Sequence, residues 1–134
     1  MKRMIMSELL AWKGQSKRKP LILMGARQVG KTFVLKKFGQ QEYANTVYLN
    51  FEDNPRLCQL FEGSLNPKMV LKALMIEMNA EVVPGKTLLI FDEIQECPNA
   101  LNSLKYFYES APEQHIVAAG SLLGVKLAHV KGFP

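Results

Sequence analysis

The chain has 134 residues, of which 48% are hydrophobic and 22% charged, a size and composition typical of one globular domain. This composition excludes a disordered chain and a small disulfide scaffold. The formal charge of +5 suits a polyanionic ligand, and it does not choose among nucleic acid, an acidic membrane and a polyphosphate.

The two cysteines, Cys58 and Cys97, have no CxxC spacing and no nearby histidine pair. We therefore expect neither a zinc site nor a disulfide framework, and we infer a reducing compartment. Polar residues interrupt the basic N-terminus, and no segment approaches the ~20 apolar residues that cross a bilayer. These patterns predict a cytoplasmic location and no membrane partner.

The first half of the chain predicts two helices and two strands. Apolar residues at helical spacing indicate a helix over residues 1–13, and the apolar run Leu21–Met24 before Gly25 indicates a buried strand. A second helix is expected to close at Gly39, a residue suited to a left-handed helix stop. The β-rich segment Thr46–Phe51 then predicts the second strand.

The second half continues the alternation. Asn66 and Pro67 predict the start of a helix that ends near Ala80, and residues 88–91 form an apolar run that predicts a third strand. Pro98 opens another helix, and residues 116–119 predict a fourth strand. This rhythm favours an α/β fold with a parallel sheet, helices on both faces and ligands beyond the carboxyl ends of the strands.

Residues 25–32 match the phosphate-loop pattern G-x-x-x-x-G-K-[ST] between a predicted strand and a predicted helix. Glycines let backbone amides point at phosphate oxygens, and the following helix adds the positive end of its dipole. Lys31 is expected to contact the β- and γ-phosphates and Thr32 to bind Mg²⁺. The role of Arg27 stays open. The predicted nucleotide-binding residues are Gly25, Ala26, Arg27, Gln28, Val29, Gly30, Lys31, Thr32 and Phe33.

Two carboxylates, Asp92 and Glu93, follow the third predicted strand. In that position Asp92 is expected to hold Mg²⁺ through bound water, and Glu93 to act as general base for the attacking water. Two acids after a strand can also cap a turn. Without other evidence, turn capping would be the preferred interpretation of Asp92 and Glu93. The upstream phosphate loop favours the metal and catalytic roles.

Other candidates are weaker. Asn50 ends the second strand and either contacts Glu93 or, as we prefer, belongs to a turn and helix cap. A basic run, which before a buried strand is more often a solvated loop than a nucleic-acid contact, comprises Lys13, Lys17, Arg18 and Lys19. His115 and His129 lack partner ligands at metal-binding spacing, and we assign them no role.

The segments RKPLILMGARQVGKT, LNFEDNP, LLIFDEIQ and AAGSLLGV give the chain a resemblance to the prokaryotic AAA-type ATPases, in which an N-terminal ATPase core precedes a poorly characterised C-terminal region. The resemblance implies a P-loop NTPase fold of the additional-strand type with strand order 1-4-3-2. It also places Ser121 at the position that senses the γ-phosphate, although Gly120-Ser121 equally resembles a turn. The implied catalytic residues are then Lys31, Glu93 and Ser121.

Family members continue into a fifth strand, a lid and a partner-recognition region, so we expect residues 1–134 to be a single truncated core without that fifth strand. Residues 1–19 are expected to form a leader helix and basic linker, and residues 20–134 the P-loop sheet and helices. No arginine follows Arg56, so an arginine finger has to come from elsewhere.

The leading functional expectation is ATP and Mg²⁺ binding, with hydrolysis that drives a conformational change in a larger protein. Whether the full-length form is an oligomer stays open. We expect hydrolysis to be slow or absent in this fragment. The alternative is a nucleotide-dependent switch that binds DNA or a protein partner without significant turnover. A GTPase is disfavoured because no Asn-Lys-x-Asp segment is present.

Overall fold

A computed structural model describes residues 2–16, 18–25 and 31–121. Four helices and four strands alternate along these ranges, with two short 3₁₀ turns between them. The elements are α1 (Lys2–Lys13), β1 (Leu21–Gly25), α2 (Lys31–Glu42), β2 (Asn45–Asn50), a 3₁₀ turn (Pro55–Phe61), α3 (Pro67–Met78), β3 (Thr87–Asp92), a second 3₁₀ turn (Ile94–Glu96), α4 (Pro98–Ser110) and β4 (His115–Ser121).

The four strands form one parallel sheet in the order β1-β4-β3-β2. The predicted α/β class and the predicted order 1-4-3-2 are therefore confirmed. β4 lies between β1 and β3. Each connection between successive strands is a crossover that contains a helix, as parallel pairing requires.

Helices cover both faces of the sheet, and the alternation of side chains along β3 shows this directly. Leu88 and Ile90 face a core that includes Leu9 and Trp12 of α1 together with residues of α2. Leu89 and Phe91 face the opposite core, which α3, α4 and the first 3₁₀ turn complete. β3 is buried along its whole length, as expected for a central strand covered on both sides.

The helix boundaries follow local chemistry at three of the predicted positions. The side chain of Asn66 accepts a hydrogen bond from the backbone N–H of Lys68 (2.9 Å) and caps α3. Pro67 and Pro98 each occupy the first turn of a helix, where no amide donor is needed. α3 ends at Met78, and the residue that caps it, Asn79, adopts the left-handed conformation (φ 49°).

The predicted helix stop at Gly39 is wrong, because α2 continues through it to Glu42. Gly39 is buried, and a Cβ atom there would overlap the side chain of Thr46 on β2. The glycine therefore permits a close approach of α2 to the sheet instead of a left-handed turn.

The expectation of unpaired cysteines is also wrong, since Cys58 and Cys97 form a disulfide with a Cα–Cα separation of 5.7 Å. The bond joins the first 3₁₀ turn to the residue after the second one. Sequence spacing alone gave no sign of it, because the two residues lie 39 positions apart and are brought together only by the packing of α4 against the first turn. A cross-link of that span stabilises a fold by about 2–4 kcal/mol.

His115, at the start of β4, lies in a buried aromatic cluster on the side of the sheet that α1 and α2 cover. Its Nδ1 shares a hydrogen bond of 2.5 Å with the hydroxyl of Tyr43, and Trp12 meets its ring edge-on at 5.6 Å. Burial, with a smaller contribution from the charges of Arg18 and Lys13, lowers the pKa of His115 to about 4. His115 is thus neutral in the folded protein at pH 7. His129 lies outside the described residues.

Within the described ranges, none of the helices combines the length and apolar character that a bilayer span demands.

The depressed pKa of His115 predicts a pH dependence of the free energy of unfolding. Below the unfolded-state pKa of about 6.5, the unfolded chain binds a proton at His115 that the folded protein rejects, so stability falls as pH drops from about 6.5 to 4. One proton contributes a slope of up to about 1.4 kcal/mol per pH unit, which His115→Gln should remove. Urea unfolding at a series of pH values measures this; equal slopes for both proteins would contradict it.

Candidate nucleotide site at the carboxyl edge of the sheet

The strand register brings the predicted functional residues to one edge of the sheet. Gly25 at the end of β1 lies opposite Ser121 of β4, and Asn50 of β2 lies opposite Asp92 of β3. Lys31 and Thr32 open α2, the helix that follows β1. Residues 26–30, which carry the rest of the phosphate-loop pattern, lie outside the described residues.

A hydrogen bond joins the start of α2 to the end of β3. The hydroxyl of Thr32 donates to Oδ2 of Asp92 at 2.7 Å, although the two residues are 60 positions apart in the chain. Asp92 is only 4% exposed, so its carboxylate depends on such donors in place of water. Oδ1 accepts a further hydrogen bond, of 2.9 Å, from the backbone N–H of Glu93.

Tyr48 of β2 supplies another donor to the same carboxylate, and the sequence analysis did not single it out. Its hydroxyl donates to Oδ2 of Asp92 at 2.6 Å and accepts from Nδ2 of Asn50 at 3.1 Å. Burial, together with this hydrogen bond to Asp92, raises the pKa of Tyr48 to about 12. The phenol therefore stays protonated and donates to Asp92 at neutral pH. The only sequence signal was its place two residues before the end of β2.

The chain turns sharply at Glu93, which adopts the left-handed conformation with φ 53° and ψ 46°. A non-glycine residue in this region costs on the order of 1–3 kcal/mol, and such strain is concentrated at functional sites. The turn stops β3 at Asp92 and begins the second 3₁₀ turn. Successive carboxylates thus leave the strand in different directions, with Asp92 buried and Glu93 partly exposed.

Glu93 is linked to Ser121 through Gln95. Nε2 of Gln95 donates to Oε1 of Glu93 at 2.8 Å, and Oε1 of Gln95 accepts from the backbone N–H of Ser121 at 3.1 Å. The predicted base and the predicted sensor strand are therefore close, although the contact to Ser121 uses its backbone.

Asn50 stabilises the turn that follows β2. Its Oδ1 accepts from the backbone N–H groups of Glu52 and Asp53, both at 2.9 Å, while its Nδ2 donates to Tyr48. These contacts form the turn that we preferred for this segment. The helix cap predicted with it is wrong, because the side chain of Asn54, which precedes the first 3₁₀ turn, makes no capping hydrogen bond.

Phe33, the last residue of the predicted nucleotide-binding set, lies in the first turn of α2 with 58% of its surface exposed. The ammonium group of Lys37 lies 5.9 Å from its ring centroid.

Residues of the basic run make contacts within the chain. The guanidinium of Arg18 donates to the backbone oxygen of Lys13 at 2.8 Å, and Lys13 Nζ donates to the backbone oxygen of Glu42 at 2.7 Å. Lys19 lies 5.5 Å from the ring centroid of Tyr108. These contacts favour the structural reading of the run; Lys17 lies outside the described residues.

The oxygen donors at the sheet edge fit a hard divalent cation. The hydroxyl of Thr32 and the carboxylate of Asp92 are the ligand types that Mg²⁺ prefers, and this ion takes its remaining ligands from water and phosphate. The described residues contain no cluster of three or more His, Cys, Asp or Glu side chains that would bind a metal unaided. The donor set thus fits a metal that arrives with a phosphate ligand.

The sheet order, the phosphate-loop pattern in the sequence between β1 and α2, and the paired acids after β3 define the class of P-loop nucleotide-binding proteins. A family model described as "AAA domain" matches residues 17–132. The chain therefore belongs to this family, and it is an AAA-type P-loop ATPase core.

Two solved structures align with the chain. The Orc1 protein of Aeropyrum pernix, solved in complex with DNA, aligns with a TM-score of 0.55 and 16% identity over 96% of this chain and 40% of that one. A Walker-type ATPase of Pyrococcus abyssi aligns with a TM-score of 0.47 and 18% identity over 89% of this chain and 43% of that one. The chain thus spans less than half the length of either protein. No curated protein matches its sequence.

The contact between Tyr48 and Asp92 predicts a measurable loss of stability in Tyr48→Phe. This substitution keeps the ring and removes one donor from a buried carboxylate, which should lower the free energy of unfolding by about 1–3 kcal/mol. Urea denaturation measures the difference. Tyr106→Phe, on the exposed side of α4, is the matched control and should change stability by less than about 0.5 kcal/mol. Equal losses in both variants would contradict the role of Tyr48.

Proposed function

We propose that this protein binds ATP with Mg²⁺ and hydrolyses it slowly, to drive a conformational change in a larger AAA-type assembly. The observation that carries the proposal is the 2.7 Å hydrogen bond between Thr32 and Asp92. It joins the start of the helix after the phosphate-loop pattern to the acid after β3, where parallel α/β sheets bind ligands. Family membership supports a nucleotide-binding ATPase.

The phosphates are bound by residues 25–33 in this proposal. Gly25 ends β1 and Lys31 begins α2, so residues 26–30 connect a strand to a helix N-terminus, whose partial positive charge favours anions. Lys31 adds a full positive charge for the β- and γ-phosphates.

Thr32 and Asp92 would hold the metal, Thr32 directly and Asp92 through a water molecule. Bound Mg²⁺ supplies positive charge that neutralises the phosphate oxygens during transfer. Tyr48 keeps the Asp92 carboxylate in place by donating to Oδ2, so it would orient the carboxylate toward the metal. The hydroxyl of Thr32 would then exchange its contact with Asp92 for the metal.

Glu93 acts as general base, accepting a proton from the attacking water at its carboxylate. Its position one residue beyond Asp92 supports this role, because the left-handed turn directs it away from the buried carboxylate of Asp92. Ser121 senses the γ-phosphate from the end of β4, beside β1. Residues 57–134 contain no arginine, and an arginine finger supplied from elsewhere in the assembly accelerates phosphoryl transfer in related systems by about 10³ to 10⁵.

A second candidate is a nucleotide-dependent switch that binds DNA or a protein partner without significant turnover. The charge of +5 favours a polyanion, and the structurally similar Orc1 protein was solved with DNA. The intramolecular contacts of Lys13 and Arg18 reduce the part of that charge open to DNA. Hydrolysis is therefore our first proposal.

The division into a leader over residues 1–19 and a core over residues 20–134 remains a proposal, as does the cytoplasmic location. The Cys58–Cys97 disulfide removes one argument for that location, since disulfides are rare in reducing compartments.

Replacement of the base tests the first proposal. Glu93→Gln keeps the shape of the side chain and cannot accept the proton, so the rate of phosphate release from radiolabelled ATP should fall by about 10² or more while ATP still binds. Lys31→Ala should instead weaken ATP binding.

Glu96→Gln is the matched control, because Glu96 is an exposed acid three residues after Glu93, at the end of the second 3₁₀ turn. This variant should turn over ATP at the wild-type rate. Equal rates for wild type and Glu93→Gln would refute Glu93 as base. The switch without turnover would be favoured if ATP raised the affinity for a DNA or protein partner in both wild type and Glu93→Gln while neither protein hydrolysed ATP.

A further inference from the structure

The side chain of Gln95 connects two segments that the proposed mechanism treats as separate. Its Nε2 donates to Oε1 of Glu93 at 2.8 Å, and its Oε1 accepts from the backbone N–H of Ser121 at 3.1 Å. One carboxamide therefore touches both the predicted base after β3 and the end of β4.

We propose that Gln95 is the positioning residue that fixes the Glu93 carboxylate relative to the end of β4, so that the base is aligned with the γ-phosphate end of the bound nucleotide. This inference rests on the proposed ATPase function. It assigns Gln95 no contact with the nucleotide, since the residue acts through Glu93.

The chemistry of the link requires a carboxamide. Glu93 needs a donor and the Ser121 N–H needs an acceptor, and among unbranched side chains of this length only glutamine offers both. The contact to Glu93 is charge-assisted and is the stronger of the two, because its acceptor is ionised. The contact to Ser121 then orients the amide, with oxygen toward β4 and nitrogen toward Glu93.

The neighbouring residues are shaped for this arrangement. A Cβ atom on Gly120 would lie 2.5 Å from Oε1 of Gln95, so any larger residue there would displace the carboxamide. The absence of a side chain at position 120 therefore leaves the space that the link occupies.

The backbone that carries Gln95 is anchored on both sides. Ile94 is fully buried, and the N–H of Cys97 donates to the oxygen of Ile94 at 2.9 Å. Cys97 is also cross-linked to Cys58. A side chain on a fixed backbone orients its partner at little entropic cost, which is what a supporting residue must do. Glu93 has a strained backbone and a partly exposed side chain, so it benefits from such support.

Gln95→Met tests the inference, because it keeps the length of the side chain and removes both hydrogen bonds. We expect kcat for ATP hydrolysis to fall by about tenfold or more, less than in Glu93→Gln, with KM and ATP affinity changed less than about twofold. Gln59→Met, an exposed glutamine on the first 3₁₀ turn, is the matched control and should leave both constants at wild-type values.

The double variant Glu93→Gln/Gln95→Met separates positioning from a structural effect. If Gln95 acts only through Glu93, the second substitution should not lower the residual rate of Glu93→Gln any further. A further loss, or a parallel loss of ATP affinity, would overturn the positioning role.

A readout without turnover is the side-chain amide signal of Gln95 in ¹⁵N-labelled protein, assigned by its disappearance in Gln95→Met. Glu93→Ala should shift this signal and speed its hydrogen exchange, because the charged acceptor is lost. An unchanged signal would overturn the contact itself.

If wild type shows Glu93-dependent turnover and Gln95→Met matches it, this inference alone fails; if no turnover depends on Glu93, the proposed function fails and this inference with it.

Discussion

The hydrogen bond between Thr32 and Asp92 is the contact on which the organisation of the site depends. It connects the first turn of α2 to the end of β3 across 60 residues, and it places a hydroxyl and a carboxylate 2.7 Å apart. Asp92 is buried, and a buried charge without donors would destabilise the fold. Three donors, from Thr32, Tyr48 and the backbone of Glu93, satisfy it. The carboxylate that would bind the metal is thus held in place by hydrogen bonds within the chain.

The rest of the site extends outward from this carboxylate along the sheet edge. Tyr48 links it to β2, and the left-handed turn at Glu93 separates the second carboxylate from the first. Gln95 then continues the network to the end of β4. Every strand end at this edge except that of β1 is joined to Asp92 or Glu93 by side-chain hydrogen bonds, and the β1 end leads into residues that the structure does not describe. Few hydrogen bonds therefore separate the ends of β2 and β4 from the predicted base, Glu93.

Much of the fold and part of the site were predictable because they depend on local patterns. Apolar runs predicted β1, β3 and β4, and the β-rich segment Thr46–Phe51 predicted β2. Asn66 and Pro67 predicted the start of α3, and the family resemblance gave the strand order. The errors concern residues whose role depends on distant partners. Gly39 resembled a helix stop and instead accommodates Thr46, and the pairing of Cys58 with Cys97 depends on how α4 packs. Tyr48 and Gln95 were missed for the same reason. Tyr48 belongs to no motif, and Gln95 ends the segment LLIFDEIQ, in which the pattern assigned roles to the two acids and none to the glutamine.

The most direct test of the central claim is calorimetric titration of the protein with ATP, with and without Mg²⁺, for wild type and Asp92→Asn. The substitution keeps an oxygen acceptor for Thr32 and removes the charge that the metal requires. The account predicts that Mg²⁺ strengthens ATP binding to wild type by at least about tenfold and has little effect on Asp92→Asn. Equal affinities of wild type for ATP with and without the metal, or no ATP binding at all, would contradict it.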